Sequence, residues 1–181
     1  MRYIIYCLLS LILLSSCSSG KISTTETKPT ETIIFGRLSI YKDNSIKPQD
    51  IWVHFNERNW GKTLARIDDK GYFMAKVPLG KNHIAMLAYS NKYANLPKSY
   101  ISIDIEDPNT IYYVGDIYIN WSPNHGEQRS NQGLLGTLVE NSKDGKRIPA
   151  SVKSSESTIN YFKQMFPENT KEIETKLIII E

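Results

Sequence analysis

Apolar and polar residues alternate along the middle of the chain, which is the pattern of half-buried β-strands. Residues 72–77 form the clearest such run, and residues 83–89 run back after Pro78 and Gly80, so the two runs predict a β-hairpin. Five further strands are predicted, at residues 33–40, 51–55, 62–67, 100–105 and 111–120. Seven short strands separated by turn residues predict a mainly β fold, a sandwich of two antiparallel sheets.

Residues 122–181 predict a small α+β appendage to the sandwich. It begins with a polar connection and contains two strands, a helix and a last strand, at residues 134–140, 150–154, 155–166 and 172–180. Ser154 or Ser155 is the expected cap of the helix, and Pro167 ends it. Residues 134–154 also share two short matches with the first strands of the sandwich, and a remnant second copy and chance explain these matches equally well.

Two apolar runs predict how this appendage packs. Residues 84–88 are apolar at successive positions, so we expect both faces of their strand to be covered, the outer face by the helix. Residues 177–180 are also apolar throughout, and we expect the last strand to be covered on both faces as well.

Residues 1–16 have the composition of a signal peptide. Arg2 precedes an apolar run from Tyr3 to Leu14, which is too short to span a bilayer comfortably. The run ends in Leu14-Ser15-Ser16-Cys17, which resembles the lipobox of bacterial lipoproteins. The resemblance implies cleavage before Cys17 and attachment of lipid to that residue, so the membrane is a partner of the N-terminus. The alternative is an ordinary secretory signal with a chance cysteine.

The residues after the lipobox indicate how the domain is tethered and in which membrane the protein is anchored. Residues 17–32 are rich in Ser, Thr, Lys and Glu and show no apolar period, so they predict a solvated tether. Ser18 stands where lipoproteins retained in the inner membrane usually carry aspartate. The resemblance therefore implies the cell envelope, with the outer membrane favoured over the inner one where both exist.

The turn and strand motifs of residues 33–121 resemble a known domain. Gly36-Arg37-Leu38, Ile51-Trp52-Val53, Asp68 to Phe73, and Val77-Pro78-Leu79-Gly80 look like the carboxypeptidase regulatory-like domain, a transthyretin-like β-sandwich. These motifs are structural and carry little information on activity. Hydroxyisourate hydrolases, the catalytic relatives of this fold, end in Tyr-Arg-Gly-Ser. This chain ends in Leu177 to Glu181 without that motif, so the resemblance implies no such activity.

Composition narrows the function classes. The net charge of +3 on 181 residues is too small to predict a nucleic-acid partner. Both cysteines, Cys7 and Cys17, precede the predicted sandwich, which therefore has no thiol for a disulfide or a thiolate metal site. The histidines are far apart and lack ligand spacing, and we interpret them as solvated; they are His54, His83 and His125.

Two acidic clusters and the absence of known catalytic motifs bear on whether this chain is an enzyme. Asp68-Asp69 and the cluster of Asp104, Glu106 and Asp107 could bind calcium or act as paired carboxylates, but turn formation explains them more simply. The sequence has no nucleophile elbow, P-loop or dinucleotide fingerprint. We therefore predict a protein that is not an enzyme, with no catalytic residues, no cofactor and no metal.

Aromatic side chains beside polar ones are the remaining candidates for a binding site. Trp52 is on the outward face of its strand, and Arg58 and Trp60 follow closely. Flat rings beside hydrogen-bonding groups suit a sugar or a protein partner, whereas the alternative is that the rings pack beneath another part of the chain. The sequence thus predicts an envelope lipoprotein serving as a structural or protein-interaction module, with carbohydrate binding as the alternative.

Overall fold

Two β-sheets and one α-helix make up the described part of this computed structural model, residues 27–40, 46–58, 64–129 and 142–181. The strands in order are β1 (Glu31–Ile40), β2 (Ile51–Phe55), β3 (Leu64–Ile67), β4 (Tyr72–Pro78), β5 (Gly80–Tyr89), β6 (Lys92–Asn95), β7 (Ile101–Ile105), β8 (Ile111–Ile119), β9 (Glu127–Gln128), β10 (Ala150–Lys153), β11 (Ile173–Thr175) and β12 (Ile179–Ile180). The helix, α1, is Glu156–Met165. The mainly β fold predicted from the sequence is confirmed.

The larger sheet has the strand order β10-β8-β1-β4-β3-β2-β5-β6-β9. Neighbours in this order are antiparallel except β1 and β8, which run parallel, with Ile34 opposite Tyr112; β11 also pairs with β8 in parallel. The smaller sheet is formed where Gly80–His83 of β5 pair with β7, and β12 pairs with β7 as well. Because β5 belongs to both sheets, it joins the two layers.

The seven strands predicted between residues 33 and 121 correspond to β1 to β5, β7 and β8. Residues 62 and 63, the predicted start of the third strand, lie outside the described residues. The structure adds β6, which the sequence analysis missed. Ser90 and Asn91 form a two-residue hairpin loop before β6, and Ser90 has a φ of 52°. This loop lacks the glycine that usually signals such a hairpin.

The main core lies between the sheets and follows the predicted alternation. Phe73, Ala75 and Val77 of β4 are buried, whereas the residues between them are half-buried. Buried side chains from β2, β5 and β7 belong to the same core, including Val53, Phe55, Leu87, Ile101 and Ile103. In the turn before β4, Gly71 has a φ of 89°, as expected for glycine there.

Helix α1 covers the outer face of β1 and β8. The ring of Phe162 stacks on Phe35 with 4.0 Å between centroids, and Ile33, Ile111 and Tyr113 surround this pair. The prediction that the helix covers β5 is therefore wrong. Met86 and Ala88 of β5 instead form a separate small cluster with a tyrosine of β6, Tyr93. Among the described residues, no helix has the length and apolar composition needed to cross a bilayer.

A buried hydrogen-bond network holds the start of α1 over β8. Asp116 Oδ1 accepts bonds from the Tyr113 hydroxyl at 2.9 Å and from Thr158 Oγ1 at 2.7 Å. The backbone N–H of Ser155, the residue before the helix, donates to the same tyrosine oxygen at 2.9 Å. Burial, with the nearby Asp116 carboxylate, raises the pKa of Tyr113 well above its ordinary value, so its hydroxyl stays protonated.

The chain after α1 crosses from one sheet to the other. β11 runs beside β8, the backbone N–H of Ile178 donates to Val114 O at 3.0 Å, and β12 then pairs with β7. The expected single strand with both faces covered is wrong. Ile178 points into the main core, whereas Leu177 and Ile179 on either side of it are exposed, because only one face of this segment meets the sandwich.

Candidate functional site

Two of the predicted site residues, Cys17 and Trp60, lie outside the described residues, and Trp52 and Arg58 lie within them. Trp52 is on the face of β2 opposite the core, and its side chain is 43% exposed. Its cross-strand neighbour on β5, Ala88, is fully buried. The Trp52 side chain is therefore partly in contact with solvent.

His54 shares the outer face of β2 with Trp52 but has a different environment. The prediction that this histidine is solvated is wrong, because its side chain is fully buried beside Met86 of β5. Strand alternation assigned the face correctly but could not show whether that face is covered. His125 is exposed, as expected.

Arg58 lies in a polar cleft beyond the end of β2. Its guanidinium donates to the backbone carbonyl of Lys143 and, through Nη2, to that of Leu96 at 3.2 Å. The cleft has a volume of about 810 Å³, and His83 and Lys98 also line it. Burial, together with the positive charges of Lys98 and Arg58, lowers the pKa of His83, so its imidazole is neutral at pH 7.

The structure places Trp52 and Arg58 at opposite ends of β2. Trp52 is near the start of the strand, and about 10 Å of extended chain separates it from the end. Beyond that end, Asn56 turns the backbone with a φ of 63°, and its Oδ1 accepts from the His83 N–H at 3.0 Å. This turn sends Arg58 into the cleft, so the two side chains do not form one surface.

A second recess lies where the chain leaves β8 and returns to β6. A short turn at Pro123–His125 reverses the chain, so that Glu127 of β9 pairs with Tyr93 of β6. The opposite wall is residues 146–149, held by the Lys146 N–H donating to Asn95 O at 2.9 Å. The recess has a volume of about 280 Å³, and Asn120 and Trp121 line its inner part.

Two polar atoms of this recess are buried without a partner. Trp121 is only 4% exposed, and neither its Nε1–H nor Asn120 Oδ1 has a hydrogen-bond partner among the described residues. Sequence analysis did not single out Trp121 as a candidate. The available signal was alternation beyond β8, because Ile117, Ile119 and Trp121 occupy every second position on one face.

Charged groups surround the mouth of the same recess. Glu127 Oε2 accepts from Lys143 Nζ at 2.7 Å and from the Tyr93 hydroxyl at 3.3 Å. The Lys143 hydrogen bond is the main reason that the pKa of the Glu127 carboxyl is lowered. Lys146 and Arg147 add positive charge beside this engaged carboxylate, so the mouth carries an excess of positive charge.

An apolar groove of about 230 Å³ lies between α1 and β4. The rings of Tyr161 and Tyr72 stack across it with 3.9 Å between centroids, and the Tyr161 hydroxyl donates to Asp68 Oδ2 at 2.9 Å. That hydrogen bond raises the pKa of Tyr161 to about 12. The stacked rings and this hydrogen bond hold the helix against the sheet beside the groove.

Asp68 and Asp107 form turns, as predicted, whereas Asp104 lies in β7 and Glu106 pairs with Lys176. Asp68 Oδ1 accepts from the backbone N–H groups of Lys70 and Tyr72, at 2.9 and 2.8 Å. Asp107 accepts from Asn109 N–H at 2.8 Å and from the Thr110 hydroxyl at 3.0 Å, and these bonds lower its pKa. Within the described ranges, no three His, Cys, Asp or Glu side chains gather in a group that could hold a metal ion.

The recess at Trp121 and the exposed ring of Trp52 differ in their chemistry. Two buried polar atoms without partners in the described part of the chain belong to residues that line the recess, whereas Trp52 presents a large apolar ring to solvent. Comparison with family models, with characterised proteins and with solved structures finds no significant match to this chain.

Proposed function

We propose that this chain is a lipid-anchored lipoprotein of the bacterial envelope, in which a transthyretin-like sandwich serves as a non-enzymatic module that binds a protein partner. The single observation that carries the proposal is the exposure of Trp52 on the outer face of the larger sheet. Tryptophan is the residue type most enriched at the energetic centres of protein interfaces. A partner that covers this ring would remove a large apolar surface from water.

The roles of the motif residues support the transthyretin-like assignment. Gly36 lies where β1 passes β8, and a Cβ atom there would be 2.4 Å from the carbonyl oxygen of Gly115. Leu38 N–H donates to Gly71 O at 2.8 Å, which joins β1 to the turn before β4. The residues that carry the resemblance therefore determine the backbone geometry of the sandwich.

The position of Arg58 favours a protein over a sugar at Trp52. A sugar site needs polar side chains beside the aromatic ring, since hydroxyl groups must exchange their bonds with water for bonds with protein. Arg58, the polar member of the set predicted from sequence, lies beyond the other end of β2 and is bonded to backbone carbonyls. A protein surface requires no such group next to the ring.

The Cys17→Ser substitution tests the anchor. We expect this variant to lose all incorporation of labelled palmitate in growing cells, because the lipid is attached to the Cys17 thiol and fatty acylation of the new N-terminus follows that step. Each buried methylene of an acyl chain contributes about 0.8 kcal/mol to membrane binding, so an unlipidated body should not stay on the membrane. The matched control is Cys7→Ser, which lies in the leader and should label normally. Palmitate labelling of Cys17→Ser at the wild-type level would contradict the anchor.

The Trp52→Ala substitution tests the partner. We expect a protein that crosslinks to the tagged full-length chain in intact envelopes to be recovered at least about tenfold less from the variant, because loss of a central interface tryptophan costs about 2 kcal/mol or more. Met165→Ala is the matched control, since Met165 is also exposed but lies on α1. Circular dichroism should show both variants folded. Equal capture by wild type and Trp52→Ala would reject Trp52 as the docking centre.

A further inference from the structure

We draw no further inference here: the strongest candidate, the apolar groove between α1 and β4, carries none because nothing in the described part of the structure shows what would cover it.

Discussion

Replacing Phe162 with alanine will lower the free energy of unfolding by about 3–5 kcal/mol. Phe162 is 4% exposed and is the side chain by which α1 enters the outer cluster on β1 and β8. Its ring stacks on Phe35 at 4.0 Å and lies 5.0 Å from the ring of Phe166. Truncation therefore removes buried apolar area and leaves a cavity that a helix fixed by its polar network cannot close. Urea unfolding followed by tryptophan fluorescence gives the difference.

Met165→Ala is the matched control for this measurement. Met165 is on the same helix, three residues further along, but is 56% exposed. We expect its substitution to change stability by no more than about 0.5 kcal/mol. Equal losses for the two variants would mean that α1 does not pack on β1 and β8 as described.

Replacing Ile178 with alanine will cost about 2–5 kcal/mol, although it lies only three residues from the end of the chain. Ile178 is 2% exposed and inserts into the main core where the tail passes from β8 to β7. Its backbone N–H bonds to Val114, so the side chain cannot move away to fill the space left by truncation. The same urea titration measures this loss.

The neighbouring residue supplies the control. Ile179 is 62% exposed, and Ile179→Ala removes the same atoms from a position in contact with water. Its substitution should change stability by no more than about 0.5 kcal/mol. If both variants behaved alike, the tail would be a loosely attached segment rather than part of the core.

Strand positions were predictable because they depend on local alternation, whereas the partner of the helix was not. The apolar face of α1 showed that the helix must pack on something, but every sheet face with a continuous apolar run was a candidate. Ile33, Ile34 and Phe35 of β1 are such a run, and so is the start of β8. To predict whether α1 packs on these strands or on β5, the strand order must be known. No local sequence pattern contains that order.

Local sequence patterns also failed to predict which candidate site residues lie close together. Trp52 and Arg58 are close in sequence, yet an extended strand separates them and a turn at Asn56 points Arg58 into a different cleft. The burial of Trp121 could have been predicted from the alternation of apolar residues along β8. Its position beside residues 146–149 could not, because they come from another part of the chain.

The pairing of β1 has a consequence for the order of folding. β1 is the first described strand to be synthesised, but its neighbours are β4 on one side and β8 on the other, and α1 covers it from outside. Contacts between such distant segments require large loops to close, which slows folding. β4 can cover one edge of β1 early, but an emerging chain would keep the other edge and the outer face of β1 exposed until β8 and α1 have been synthesised. Such a chain depends on protection from aggregation before it is complete.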